Sequence, residues 1–167
     1  IFAQEESTIA GNNDLPGGLF ANGNNVFDLH QGYLDLNKIG GSIVSLRLGR
    51  QELAYGDERL VGAFGWSNIG RSFDAGKVRL EWDQVWGDGF ISWNERAGGN
   101  EYFGGIYSSW KVRPNMTLDL YSLLLRDNDG DGVAGVTGLT LETLGVRLAG
   151  TCLDKRIDYN VQTALQL

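Results

Sequence analysis

The chain has 167 residues, with 14 Lys plus Arg against 21 Asp plus Glu and a formal net charge of −7. That length suits one domain, and the acidity argues against a general nucleic-acid binder. One cysteine, Cys152, and one histidine, His30, exclude an internal disulfide framework and argue against a His-based triad or a multi-His metal centre.

Residues 1–25 are polar and rich in Gly and Asn, and read as a loop-like segment. The 25 glycines stand beside only 2 prolines, so they read as turn and pleat residues, not as part of a Pro-rich disordered tract. No basic segment is followed by an apolar one, and no apolar run is long enough for a transmembrane helix. An exported chain without its leader and an internal fragment both fit that description.

From Val26 onward the apolar period is two. A first strand is predicted from Val26 to Asn37, and a second over Val44-Ser45-Leu46-Arg47-Leu48-Gly49, where apolar residues alternate with small or charged ones. Arg59 to Trp66 is assigned as a strand because the connections then sort by length. In Lys77-Val78-Arg79-Leu80-Glu81-Trp82-Asp83, Val78, Leu80 and Trp82 share one side and four charged residues the other. Gly87 to Asn100 reads as a loop. Further strands follow over Glu101 to Val112, Met116 to Arg126, Thr143 to Ala149 and Asp158 to Leu167, bounded by Gly, Asn, Asp or Pro.

The result is an all-β, antiparallel up-and-down meander of about eight strands. Lys38–Ser42, Ser67–Ala75, Arg113–Asn115 and Thr151–Arg156 form short connections at one end. Gln51–Glu58, Gly87–Asn100 and Asp127–Thr140 form longer ones at the other, as in bacterial outer-membrane barrels. Strands of about 8 to 12 residues match the ~9–11 that a tilted strand needs to cross a bilayer. Periodicity alone also suits a soluble β-sandwich. Trp66, Trp82, Trp86, Trp93, Tyr102, Trp110, Tyr121 and Tyr159 lie mostly near strand ends, where interfacial girdles sit.

Tyr33 to Trp82 contains LRLGRQEL, then GDERLVG, then Trp66, Asn68, Arg71, Ser72, Phe73 and Asp74 in a W-x-N-x-x-R-S-F-D pattern, then VRL. These elements, in this order, resemble the alginate export family of outer-membrane β-barrels. The DNDGDG loop, LGVRL and IDYNVQTALQ extend the resemblance over nearly the whole chain. It implies a barrel of near 18 strands in the bacterial outer membrane that passes an anionic polysaccharide or smaller solutes outward without catalysis. Outer-membrane lipid and periplasmic export machinery would be its partners. Strands of ~9 residues would fill about 160 positions in such a barrel, so residues 26–167 are expected to be a partial barrel near its first half.

A conduit for polyuronate needs cationic side chains on its wall, and Arg binds carboxylate through a planar fork that never deprotonates. Strand parity puts Arg47, Lys77, Arg79 and Arg147 opposite the Leu/Val faces, hence into the lumen, with Glu81, Asp83 and Asp158 beside them. Arg50, Arg59 and Arg71 belong to the family-like segment. Arg50 has the parity of Leu48 and is expected to turn inward, because a lipid-facing Arg costs ~2–4 kcal/mol at the midplane. The same arginines would equally serve as a structural ladder paired with carboxylates.

Asp127, Asp129 and Asp131 open a D-x-D-x-D-G loop of the kind that holds calcium, but the twelfth position is Gly138, which leaves the bidentate ligand missing. No other cofactor is expected. Glu52, Asp57 and Glu58 read as loop residues, not as a glycosidase pair, and Cys152 receives no role. Three functions therefore stand side by side. They are an export channel for anionic polysaccharide, a general porin-like solute channel, and a soluble calcium-assisted carbohydrate-binding β-sandwich.

Overall fold

The computed structural model describes residues 1–8, 26–63, 71–96, 99–128, 138–153 and 155–167. Nine strands form one antiparallel sheet in sequence order: β1 Phe2–Thr8, β2 Val26–Leu36, β3 Val44–Gln51, β4 Phe73–Glu81, β5 Val85–Arg96, β6 Gly99–Arg113, β7 Met116–Asp127, β8 Leu139–Cys152 and β9 Ile157–Gln166. The sheet is open, with β1 and β9 at its edges. A meander of this kind needs only local connections, and antiparallel neighbours allow tight ones. The soluble sandwich needs two packed sheets, and the described strands make one.

Three local expectations are corrected. Phe2–Thr8 is a strand within the loop-like 1–25 segment, because β2 supplies its ladder from Phe2 opposite Tyr33 to Thr8 opposite Val26. Residues 9–25 lie outside the described residues. Residues 59–63 are not a strand: positive φ at Gly56 (62°) and Glu58 (61°) turns the backbone, and the segment lies on the sheet instead of joining it. Positions 64–66 of that expected strand lie outside the described residues. Val85–Arg96 is a strand where a loop was expected. Gly87, Asp88 and Gly89 break the apolar rhythm, while the ladders to β4 and β6 on either side fix the extended backbone.

The connections still divide by end, but not as expected: 67–72 belong to the long β3–β4 connection instead of a short turn, and the expected long loop Gly87–Asn100 is mostly strand. β2–β3, β4–β5, β6–β7 and β8–β9 are joined at one end by short connections, the longest spanning 37–43 and including a 3-10 turn at Ile39–Gly41. The other end carries 9–25, 52–72 and 128–138, together with the two-residue β5–β6 connection 97–98.

Side chains alternate between two unlike faces. One presents Leu34, Leu36, Leu48, Val78, Leu80, Ile91, Ile106, Leu120, Leu124, Leu144, Val161 and Leu165, all exposed large apolar residues. The other carries Asp35, Arg47, Lys77, Arg79, Asp88, Asp119 and Arg147. On the apolar face Trp93 and Tyr102 stack at 5.8 Å near the long-loop end, and Trp82 and Trp110 lie near the short-turn end. Eight residues separate Tyr102 from Trp110 on β6. At ~3.4 Å per residue and a tilt of about 40°, that is about 21 Å of height, close to the ~25 Å apolar band of an outer-membrane barrel.

The polar face is concave. Asn160 Nδ2 on β9 donates to Asp57 Oδ2 in the β3–β4 connection at 3.0 Å. Along a flat sheet β3 and β9 would stand about 29 Å apart at ~4.8 Å per spacing, while Gln51 to Asp57 reaches at most ~20 Å when extended. That segment is folded back, with the Glu58 amide on the Tyr55 carbonyl at 3.0 Å, so the sheet curls to meet it.

A lipid cover on this apolar face would make a specific demand on charge. Leu120→Arg, mid-band on β7, is expected to cost ~2–4 kcal/mol. The urea midpoint for folding of the full-length protein into lipid vesicles measures it, and an unchanged midpoint contradicts the lipid-facing placement.

Candidate functional site

Arginine and aspartate meet as direct neighbours across three pairs of strands on the concave face. Arg47 stands opposite Asp35, Arg79 opposite Asp88, and Arg147 opposite Asp119. In two of the pairs apolar residues flank both charges, Leu34-Asp35-Leu36 against Leu46-Arg47-Leu48 and Leu118-Asp119-Leu120 against Val146-Arg147-Leu148, while in the third Asp88 stands between Gly87 and Gly89. With the leucines committed to one face, parity delivers the charges to the other in register.

The contacts are short. Arg47 reaches Asp35 through Nη2 at 2.7 Å, and its guanidinium sits 4.1 Å from the Tyr33 ring centre. Arg79 grips Asp88 with Nε at 2.7 Å and Nη2 at 2.8 Å, and lies 4.4 Å from the Trp86 ring centre. Such two-pronged pairs are among the stronger hydrogen bonds in proteins, and the ring faces add cation–π attraction. Arg147 Nη1 donates to Asp119 Oδ2 at 2.7 Å, which also accepts from the Tyr107 hydroxyl at 2.7 Å. Lys77, beside Arg47 on the next strand, comes within 3.8 Å of Asp88.

Residues 52–63 cross this face. Leu53, Tyr55 and Val61 are buried against a cluster that includes Phe73, Phe90, Tyr107, Tyr121 and Leu123. Each such side chain contributes roughly 1.5–3 kcal/mol on burial. Tyr55 stacks on Tyr107 at 4.6 Å and donates its hydroxyl to Asp88 Oδ2 at 3.0 Å. Burial, and next the Asp88 carboxylate, push the Tyr55 hydroxyl far above the ordinary phenol range, so it remains a donor at any physiological pH. Gly56 fits the turn at φ 62°, and a Cβ there would stand 3.0 Å from the Tyr107 hydroxyl and 3.2 Å from Arg147 Cδ. Asp57 then meets Arg59 at 2.6 Å, Asn160 at 3.0 Å and Arg147 at 3.8 Å. His30 Nε2 and Glu52 Oε1, 2.8 Å apart, tie the base of the segment to β2.

The residues singled out from sequence divide accordingly. Arg47, Lys77, Arg79 and Arg147 lie on the concave face, and Glu81 shares it without an ion pair among the described residues. Arg50 does not turn inward. It keeps the parity of Leu48 and forms a two-pronged pair with Asp74 at 2.9 Å on the apolar face, close to the long-loop end, where the cost of a charge is smallest. Arg59 rides on the crossing segment with its side chain 60% exposed. Arg71 is exposed, its amide bonded to the Ala63 carbonyl at 2.7 Å. Asp83 is in the tight β4–β5 connection, not in a strand, because β4 ends at Glu81. Asp127 ends β7, buried, whereas Asp129 and Asp131 lie outside the described residues. Sequence reasoning missed Asp35, Tyr55, Asp88, Tyr107 and Asp119. The Leu-Asp-Leu runs, matched in parity to Leu-Arg-Leu and Val-Arg-Leu, carried the signal for two of them.

The family model described as alginate export matches residues 1–167. The chain belongs to the alginate export family. No curated relative and no solved structure matches it. Family membership together with the open all-β meander makes this a part of an outer-membrane transport barrel. In this alginate export chain the concave face is the one that bears the charges, and the convex face is the one that bears the apolar band.

Asp88 is fully buried and accepts from Arg79 and Tyr55, with Lys77 nearby. Asp88→Ala is expected to cost about 3 kcal/mol, the low end for breaking a buried pair, because Arg79 keeps 36% of its side-chain surface exposed. Urea unfolding of the full-length protein measures the loss. Asp88→Asn, which keeps the shape and an acceptor, should recover part of it.

Proposed function

We propose that this chain forms part of the wall of an outer-membrane export channel for an anionic polysaccharide, with the concave face as its lumen and residues 52–63 narrowing the passage. The observation that carries this reading is the cationic row of Arg47, Lys77 and Arg79 on adjacent strands, held in place by Asp35 and Asp88. Carboxylates of a passing polymer would exchange with those resident aspartates. The partners already present keep a guanidinium from gripping the polymer, so each uronate is held briefly and released. The long connections would face outward and the short ones the periplasm.

A general solute channel is the second reading, favoured because each of Arg47, Lys77, Arg79 and Arg147 already has a carboxylate within 4.0 Å. Ion selectivity separates the two. The zero-current potential of the full-length protein in a planar bilayer under a salt gradient should be anion-selective and should shift toward cations in Arg47→Gln with Lys77→Gln. A uronate oligomer should block the wild-type current, and the double variant should require several-fold more of it. Equal block by a neutral oligosaccharide, with no shift in the double variant, would leave the general channel.

A further inference from the structure

The apolar face is not uniformly padded. Along β5–β7 its rungs are Trp93–Tyr102–Arg126, then Ile91–Gly104–Leu124, then Gly89–Ile106–Ser122. Gly104 and Ser122 put almost nothing outward on successive rungs, while Ile91, Ile106 and Leu124 stand up around them, 64%, 63% and 47% exposed. A groove of about 790 Å³ results. Bulk cannot easily be added at Gly104, because a Cβ there would sit 2.9 Å from the Phe90 carbonyl oxygen.

The groove runs toward the long-loop end and finishes at Arg126. That guanidinium is exposed and is held by its Nε on Asn128 Oδ1 at 3.0 Å, both residues lining the groove. Among the described residues Arg126 has no carboxylate partner. Glu142, beside Leu124 on β8, forms no ion pair with it. This sets Arg126 apart from Arg50, the other arginine of the apolar face, which Asp74 neutralises. From Ile106 to Tyr102 the groove covers about 14 Å along the strand, roughly 10 Å of depth at a tilt of about 40°, which fits within the ~15 Å of one leaflet's hydrocarbon.

We propose that this groove is a binding site for one phosphorylated lipid of the outer leaflet. An acyl chain lies over Gly104 and Ser122, and a headgroup phosphate takes the two terminal nitrogens of Arg126. A guanidinium at the interface pairs with phosphate through its planar fork, and the Trp93–Tyr102 stack beside it marks the headgroup level. The site lies on the opposite face from the channel wall, so it does not rest on the conduit's selectivity.

The test uses the full-length protein in phosphatidylcholine nanodiscs doped with bis-phosphorylated lipid A or with its dephosphorylated form, and counts retained lipid by native mass spectrometry. The wild type should prefer the phosphorylated form by about tenfold. Arg126→Gln should abolish that preference, and Arg126→Lys should restore part of it. Ser122→Leu, which fills the groove, should lower retention of both forms while heat-modifiable migration shows the barrel folded. A preference unchanged in Arg126→Gln, or retention unchanged in folded Ser122→Leu, overturns the site and leaves only non-specific annular lipid.

Discussion

The buried carboxylate of Asp88 is the point on which the concave face depends. It is an acceptor placed where no water reaches it, and it is tolerable there only because Arg79 and the Tyr55 hydroxyl supply donors, with Lys77 nearby as a further charge. Through Arg79 it fixes the β4–β5 wall, and through Tyr55 it fixes the segment that crosses the wall. Asp119 repeats the arrangement two strands away, with Arg147 from the wall and Tyr107 from the aromatic stack. The two carboxylates hold the first two rings of a row in which Tyr55, Tyr107 and Tyr121 follow one another at 4.6 and 5.7 Å, and the Tyr121 hydroxyl accepts from Gln162 on β9.

The two faces divide the labour. Apolar residues on the convex face are exposed and so add nothing to a compact protein core. The cohesion that a soluble domain draws from its interior must here come from the ladders, the cross-strand Arg–Asp pairs and the docked segment. This explains why the only buried apolar cluster among the described residues lies on the charged face, under residues 52–63. Leu53 and Val61 give the crossing segment a reason to remain docked that Asp57 alone, exposed to salt and solvent on one side, would not.

Much of this was legible in advance wherever one face was uniformly apolar. β3, β4, β8 and β9 declared themselves because Leu and Val recur at every second position, and the same parity correctly turned Arg47, Lys77, Arg79 and Arg147 to the polar side. β5 was hidden because both of its faces mix large and small residues: Trp86 and Phe90 point one way, Ile91 and Trp93 the other, with glycine at Gly87 and Gly89. β1 was hidden because Phe2–Thr8 has almost no apolar alternation and owes its extension to a neighbour. Arg50 misled for a physical reason: the penalty for a charge among lipid tails falls toward the interface, and Asp74 shares the burden there. No local pattern could announce that Tyr55 reaches Asp88, since that contact depends on how far the sheet curls.

The hydrogen bond between Asp57 and Asn160 joins positions 103 residues apart. It has no partner to form with until β9 has been added to the sheet. The crossing segment leaves the chain early, after β3, yet its seat is built from strands made later, so it must wait undocked while the wall assembles beside it. The wall therefore acts as the template for its own narrowing, and an arrested assembly would be a wider opening, not a tighter one.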